Sequence, residues 1–220
     1  MSIICICWQE QFQIKLLMIN ITVVIYLAKI IWKPGTLLAP LPAVLVTCGT
    51  MEKANVLTVA WTGIINTHPA MTYISVRPSR HSYNIIKSNG EFVINLTTSA
   101  MCRSVDFCGV RSGEKIDKLD ICGLHKEKSS KIQAPLIAES PLSLECRVTE
   151  IKSLGTHDMF IAEIIAIDIE ERFIDSKGKL NLQQAGLLAY SHGEYFSIGR
   201  KLGEFGYSVK KNNKKGSKRN

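Results

Sequence analysis

Between Asn55 and Asn95 the chain changes its hydrophobic period twice, and no other stretch limits the possible folds as much. N-V-L-T-V-A-W over Asn55–Trp61 and T-Y-I-S-V over Thr72–Val76 alternate with a period of two, as sheet strands do, and Asn66, His68 and Pro69 break the two runs. Pro78 ends the second strand. Tyr83, Ile86 and Lys87 then recur at helical spacing, which predicts a short helix entered near Arg80, and Asn89-Gly90 signals a turn before a third strand over Phe92–Leu96. The polar residues of the stretch collect at element ends: Asn55, Thr58, Ser75, Arg77, Arg80 and Ser82. Hydroxyls, amides and guanidinium groups so placed can hold an anion. At the helix start, Arg77, Arg80 and Ser82 would form a phosphate cradle, backbone N–H groups and the helix dipole adding to the side-chain donors. A surface helix with solvated arginines is the competing reading of the same residues.

The flanking sequence extends the strand pattern. Pro34, Gly35, Pro40 and Pro42 punctuate an entry loop, Ala43–Thr47 is an apolar strand, and Gly49–Asn55 is a polar turn. Ser99–Cys108 predicts a helix with Met101, Val105 and Cys108 on one face and Thr98 or Ser99 as its N-cap, and Gly109–Asp120 is a polar loop. Over 142–151, Leu142, Leu144, Cys146 and Val148 alternate with Ser143, Glu145, Arg147 and Thr149, so one sheet face is expected to be apolar and the other polar. Gly155-Thr-His-Asp158 turns the chain into an Ile-rich strand over Met159–Ile169, and Glu171–Lys179 makes a hairpin-like connection. Six or more strands with two or three short helices and no βαβ rhythm predict a mainly β, antiparallel barrel. With 46% hydrophobic residues in 220, the chain can bury one substantial core.

The ends of the chain look unlike its middle. Residues 1–31 form an N-terminal apolar extension expected to lie outside the domain of residues 32–207. Its run Leu16–Ala28 is broken only by Asn20 and Thr22 and is too short to span a bilayer, which needs about 20 residues. It has the length of a signal-peptide core, but Lys29-Ile-Ile-Trp32 makes a poor cleavage site. The net charge of +8 is concentrated in the tail at residues 208–220, which holds six of the 27 basic residues and no acid, leaving 21 against 19, or +2, elsewhere. Such a tail is a solvated end by composition, and neither a nucleic-acid nor a membrane partner is expected. A basic-tailed binder of nucleic acid or membrane surfaces, with the barrel as scaffold, is the alternative from another functional class. The seven cysteines lack C-x-x-C spacing, which fits reduced thiols and a cytoplasmic protein, with Cys48 and Cys146 buried and Cys102 or Cys108 the candidates for redox chemistry.

Several chemistries lose their support. Neither G-x-G-x-x-G nor a P-loop is present, and the five histidines form no H-E-x-x-H, so no metal site is expected. Ser112-Gly-Glu-Lys115 spells S-x-x-K without the companion motifs that would give it meaning.

Eight patterns in order, from about Pro34 to Lys210, resemble the flavin reductase-like family of FMN-binding split β-barrels, which includes flavoredoxin. They are P-x-P-A-V-L-V, N-V-x-T-x-A-W, S-V-R-x-x-R-x-S, F-V-I-N-L, D-F-C-G with S-G-x-x-x-D-K, L-x-L-E-C, G-x-H-x-x-F-I-A-E and Y-x-x-G-x-Y-F-x-I-G. The resemblance implies FMN contacts from Asn55, Thr58, Ala60 and Trp61 along one strand, with Arg77 and Ser82 near the phosphate and Asn95 near the ribityl or phosphate. Lys118 and His157 would approach the polar edge of the ring, where negative charge gathers on reduction, with Tyr190 close by. It implies a homodimer that passes a hydride from NAD(P)H to flavin N5 without a protein nucleophile, and then passes electrons to a small-molecule or protein acceptor. The same resemblance admits a flavoredoxin-type electron carrier with no nicotinamide activity of its own.

Overall fold

The computed structural model describes residues 14–19 and 22–210, so Cys5, Cys7 and the basic tail from residue 211 onward lie outside the described residues. The chain divides into two units, Met1–Leu37 and Leu38–Asn220. In the first, strands β1 (Ile14–Ile19) and β2 (Thr22–Leu27) pair antiparallel, Ile14 opposite Leu27 and Ile19 opposite Thr22. No helix among the described residues is long and apolar enough to cross a membrane.

The second unit opens with β3 (Leu41–Pro42), β4 (Val44–Gly49) and β5 (Ala54–Val59), followed by β6 (Thr62–Asn66) and β7 (Met71–Val76). Helix α1 (His81–Asn89) leads into β8 (Glu91–Asn95), α2 (Cys102–Val110) and α3 (Lys118–Ile121). Then come the short pair β9 (Lys126–Glu127) and β10 (Leu136–Ile137), the long hairpin β11 (Leu142–Ser153) and β12 (Asp158–Ile169), and finally β13 (Leu188–Ser191) and β14 (Glu194–Ser197).

Seven strands form one antiparallel sheet in the order β5-β4-β8-β11-β12-β7-β6, and β14-β13-β3 form a smaller one. The order itself requires curling. Six gaps of about 4.8 Å would hold the edges of a flat seven-stranded sheet about 29 Å apart. Yet the edge strands β5 and β6 are consecutive, joined only by Ala60 and Trp61, and three Cα steps reach at most about 11 Å. The sheet must therefore bend round until its edges approach, and the Ser75 N–H, donating to the Trp61 carbonyl, extends the β6–β7 pairing into the link between them. This is the split barrel that the strand pattern and the resemblance imply.

Val46, Leu57, Ile74, Phe92, Ile94 and Phe160 fill the barrel, with Tyr83 and Ile86 of α1 packed among them. Burial of each such side chain is worth roughly 1.5–3 kcal/mol. On β7, Thr72, Ile74 and Val76 are buried in strict alternation, but β4 is buried at every position. A second cluster explains the difference: Leu45 and Val56 point out of the barrel onto Met101, just before α2, Val105 and Cys108 of α2 and Leu119 of α3. Strands covered on both faces read as continuous apolar runs.

One expectation is corrected. The polar loop over 109–120 is shorter than its composition implies, because α2 continues to Val110 and α3 begins at Lys118, where the Asp117 side chain accepts from the Leu119 and Asp120 N–H groups. The polar face of β11 is not solvated at its start: Ser143 and Glu145 are buried. Ile132, Ala134 and Leu136 close over Val93 on that side of the sheet, and the 130–132 backbone supplies the partners Glu145 needs. Its carboxylate accepts from Ser130 N (2.6 Å), Ser130 Oγ (2.7 Å), Lys131 N (2.7 Å) and Ile132 N (3.1 Å).

Candidate functional site

A cleft of about 680 Å³ opens where β5, the Ala60-Trp61 link, the end of β7, the start of α1 and the end of α2 converge. Nine of the ten residues expected at a binding site line it: Asn55, Thr58, Ala60, Trp61, Arg77, Ser82, Lys118, His157 and Tyr190. The tenth does not. Asn95 is fully buried between strands, its Nδ2 donating to Leu45 O (3.0 Å) and Thr47 Oγ1 (3.1 Å) while its Oδ1 accepts from Ile137 N (3.0 Å) and Ser143 Oγ (2.8 Å). With these four bonds made to β4, β10 and β11, Asn95 organises the barrel wall and does not line the cleft.

Each lining side chain is set by its neighbours. Asn55 Nδ2 donates to Ser82 Oγ at 2.6 Å, fixing β5 to the first turn of α1. Thr58 Oγ1 donates to the Val105 carbonyl, and Gly109 packs on the Thr58 side chain, so α2 lies directly on β5. Arg80 Nη1 donates to Gly109 O at 2.9 Å, bringing the guanidinium across the cleft to α2. Lys118 is only 3% exposed, and its Nζ donates to Cys108 O (3.0 Å) and Arg111 O (3.1 Å), the end of α2. Burial lowers its pKa; Cys108 opposes that and Arg80 adds to it.

Charge is distributed unevenly round the cleft. Arg77, Arg80, Arg111 and Lys118 line it, against the single carboxylate of Asp106. Helix α1 starts at the same place with Arg80 at its N-cap, no side-chain cap and no acid in its first turn. Arginine is a poor substitute for the Ser, Thr, Asp or Asn that would ordinarily accept from those N–H groups. Four cations and an uncapped helix start make this an anion site.

Aromatic rings supply further lining. Trp61, 39% exposed, meets His157 edge to face with ring centroids 4.4 Å apart. Burial holds the His157 pKa below its ordinary value, and Arg77 and Arg80 push in the same direction, which favours the neutral ring. Tyr190 and Tyr195 make a second edge-to-face pair at 5.6 Å, and the Tyr195 hydroxyl donates to Asp106 at 3.3 Å.

Sequence reasoning missed Asp106, Arg111, Gly113 and Tyr195. Tyr195 stood in the Y-x-x-G-x-Y-F pattern and could have been found beside Tyr190. Gly113 carries no such local signal: a Cβ there would lie 1.9 Å from Asn55 Oδ1, a contact created only by the fold.

The barrel's cleft thus sets cationic donors for an anion beside exposed aromatic surface. The chain belongs to the family described as flavin reductase like domain, whose sequence profile matches residues 37–199. It is 30% identical over 166 residues to an uncharacterized protein of Pyrococcus abyssi, covering 76% of this chain and 95% of that one. Among solved structures, flavoredoxin of Desulfovibrio vulgaris (Miyazaki F) superposes with a TM-score of 0.77 at 26% identity, and flavoredoxin from Methanosarcina acetivorans with 0.75 at 29%. Each covers 83% of this chain and 100% of its own.

Proposed function

We propose that the cleft binds FMN and that the protein is an NAD(P)H-dependent flavin oxidoreductase, acting as a homodimer in the cytoplasm and passing electrons to a small-molecule or protein acceptor. The observation that carries this is the charge asymmetry: four cations and an uncapped helix start against one carboxylate, next to exposed aromatic surface. Arg77, Arg80 and the first N–H groups of α1 would hold the phosphate, while Asn55, Thr58, Ala60 and Trp61 offer one continuous strand edge to the ring system. Bound FMN would supply the hydride-accepting chemistry, its N5 taking two electrons from a nicotinamide. The chain's own part is to orient and to compensate charge: Lys118 and neutral His157 present N–H donors, and no side chain need act as nucleophile or base. Exposed Ile64 and Ile65 on edge strand β6 are the surface a second copy would cover.

The deciding experiment is gel filtration with absorbance scanning, followed by anaerobic stopped flow. Stoichiometric FMN bleached by NADH or NADPH is expected; a colourless protein that takes up no FMN refutes the reading. Likeness to two flavoredoxins favours a second reading, an electron carrier whose flavin is reduced by a protein partner. A yellow protein that neither nicotinamide bleaches would establish it over the first.

A further inference from the structure

Of the five cysteines described, Cys108 and Cys122 are brought together with their sulfurs 4.0 Å apart, although 14 positions separate them. Cys108 is buried in the last turn of α2 and lines the cleft. Cys122 is half-buried at the C-terminal end of α3, a helix of one turn, with Gly123 after it at φ 62°. The segment between them supplies Arg111, Gly113 and Lys118 to the cleft. A bond between the two sulfurs would therefore close a ring around one wall of the site.

We propose that Cys108 and Cys122 are a redox-active pair that exchanges with small-molecule disulfides, and that the disulfide form clamps the 109–121 wall of the cleft. The sulfurs must close by about 2 Å to reach the bond length of about 2.05 Å. Cys122, half-buried at the end of a single turn and at the margin of the same cluster, has less packing to give up in moving than Cys108, which is held among Leu45, Val56 and Val105.

The same asymmetry orders the chemistry. Burial pushes the Cys108 thiol up to about 12, with Cys122 adding to the shift and the Lys118 ammonium opposing it, so Cys108 is not the sulfur that reacts first. Cys122 loses its proton to solvent and attacks one sulfur of the external disulfide; that S–S bond breaks and one thiolate leaves. Cys108 then attacks Cys122 Sγ in the mixed disulfide, its proton passing to the second departing thiolate. The protein is oxidised by two electrons, the external disulfide is reduced to two thiols, and excess thiol reverses both steps. None of this depends on the flavin reading.

The test is to equilibrate the protein as isolated with glutathione at a series of reduced-to-oxidised ratios, quench with acid, alkylate and map the peptides. The expected results are the loss of two titratable thiols, a peptide joining Cys108 to Cys122, and full reversal by dithiothreitol. Cys108→Ser should instead retain glutathione on Cys122. Amide exchange over residues 112–117 should slow about tenfold in the linked form. Alkylation of both thiols at the most oxidising ratio, or glutathione on Cys102 with this pair untouched, overturns the proposal; the wild-type map alone decides that, whatever the variants do. A linked pair with unchanged exchange overturns the clamp.

Discussion

The Asn55 side-chain amide donates to the Ser82 hydroxyl at 2.6 Å across 27 residues of sequence, and both residues are buried, 7% and 1% exposed. Ser82 therefore has a structural role as well as a place on the cleft. Ser82→Ala strands a buried donor, so it should cost roughly 1–3 kcal/mol of stability as well as weakening flavin retention. Urea unfolding of Ser82→Ala, Asn55→Ala and the double variant tests this. The double should lose less than the two singles together, and simple additivity would show that the bond contributes nothing.

Gly113 is the other constraint on Asn55. An added Cβ would lie 1.9 Å from its Oδ1 and 2.9 Å from its Cγ, both inside contact distance. Gly113→Ala should displace either the loop or the amide, with a stability cost of about 1–3 kcal/mol and a marked loss of flavin content. Gly199→Ala, where a Cβ meets open space, is the control and should change neither. Equal flavin content in the two variants would mean the loop moves aside freely.

What the sequence made legible follows the range of the interactions. Alternation located β5, β7 and β11, Ile content located β12, and the Asn89-Gly90 signal marked the end of α1, where Gly90 takes φ 70°, and the approach of β8. These are local patterns. Asn95 was misplaced because an asparagine closing F-V-I-N can face a ligand or a neighbouring strand equally well, and only the register opposite Leu45 and Ser143 decides. The burial of Glu145, on the polar side of the β11 alternation, has no local signal, because its cover, residues 129–136, is a loop whose position no periodicity reports. Cys108 and Cys122 meet for the same reason, through the folding back of α3 onto α2.

The covered face of β11 also predicts a pH dependence. Asp168 lies beside Glu145 with its Oδ2 buried and unpartnered. Burial, and then the Glu145 carboxylate, raise its pKa from 3.8 to about 6. Burial alone would raise Glu145 as well, but the bonds from Ser130 and Lys131 outweigh it and hold that group below its ordinary 4.5. For Asp168 the folded chain holds a proton that the unfolded chain releases, so its contribution is complete below pH 4 and is lost as pH rises through about 6. For Glu145 the contribution is present above pH 4.5 and is lost as pH falls through its lowered value. Asp168→Asn should therefore gain on the wild type between pH 4.5 and pH 7.5 by an amount on the order of 1 kcal/mol after solvent screening. Urea midpoints of both proteins at those two pH values measure it, and a difference that does not move with pH would sink the idea.

Lys118 carries the last prediction, because its ammonium serves two ends. Donation to the Cys108 and Arg111 carbonyls places a cation on the C-terminal turn of α2, where it satisfies free carbonyls and opposes the helix dipole. Lys118→Met should therefore cost on the order of 2 kcal/mol in urea unfolding of flavin-free protein. Two of its N–H groups are used in this way, and the third remains for the cleft that the side chain lines. If that donor faces the edge of the flavin ring that gains charge on reduction, the variant should also lower the flavin midpoint potential, by about 30 mV for each 1.4 kcal/mol of lost preference for the reduced form. A xanthine oxidase titration against a reference dye reads this directly. Loss of stability with the potential unmoved would confine Lys118 to holding the end of α2, and a shifted potential with stability unchanged would mean that the two carbonyl contacts contribute nothing to the fold.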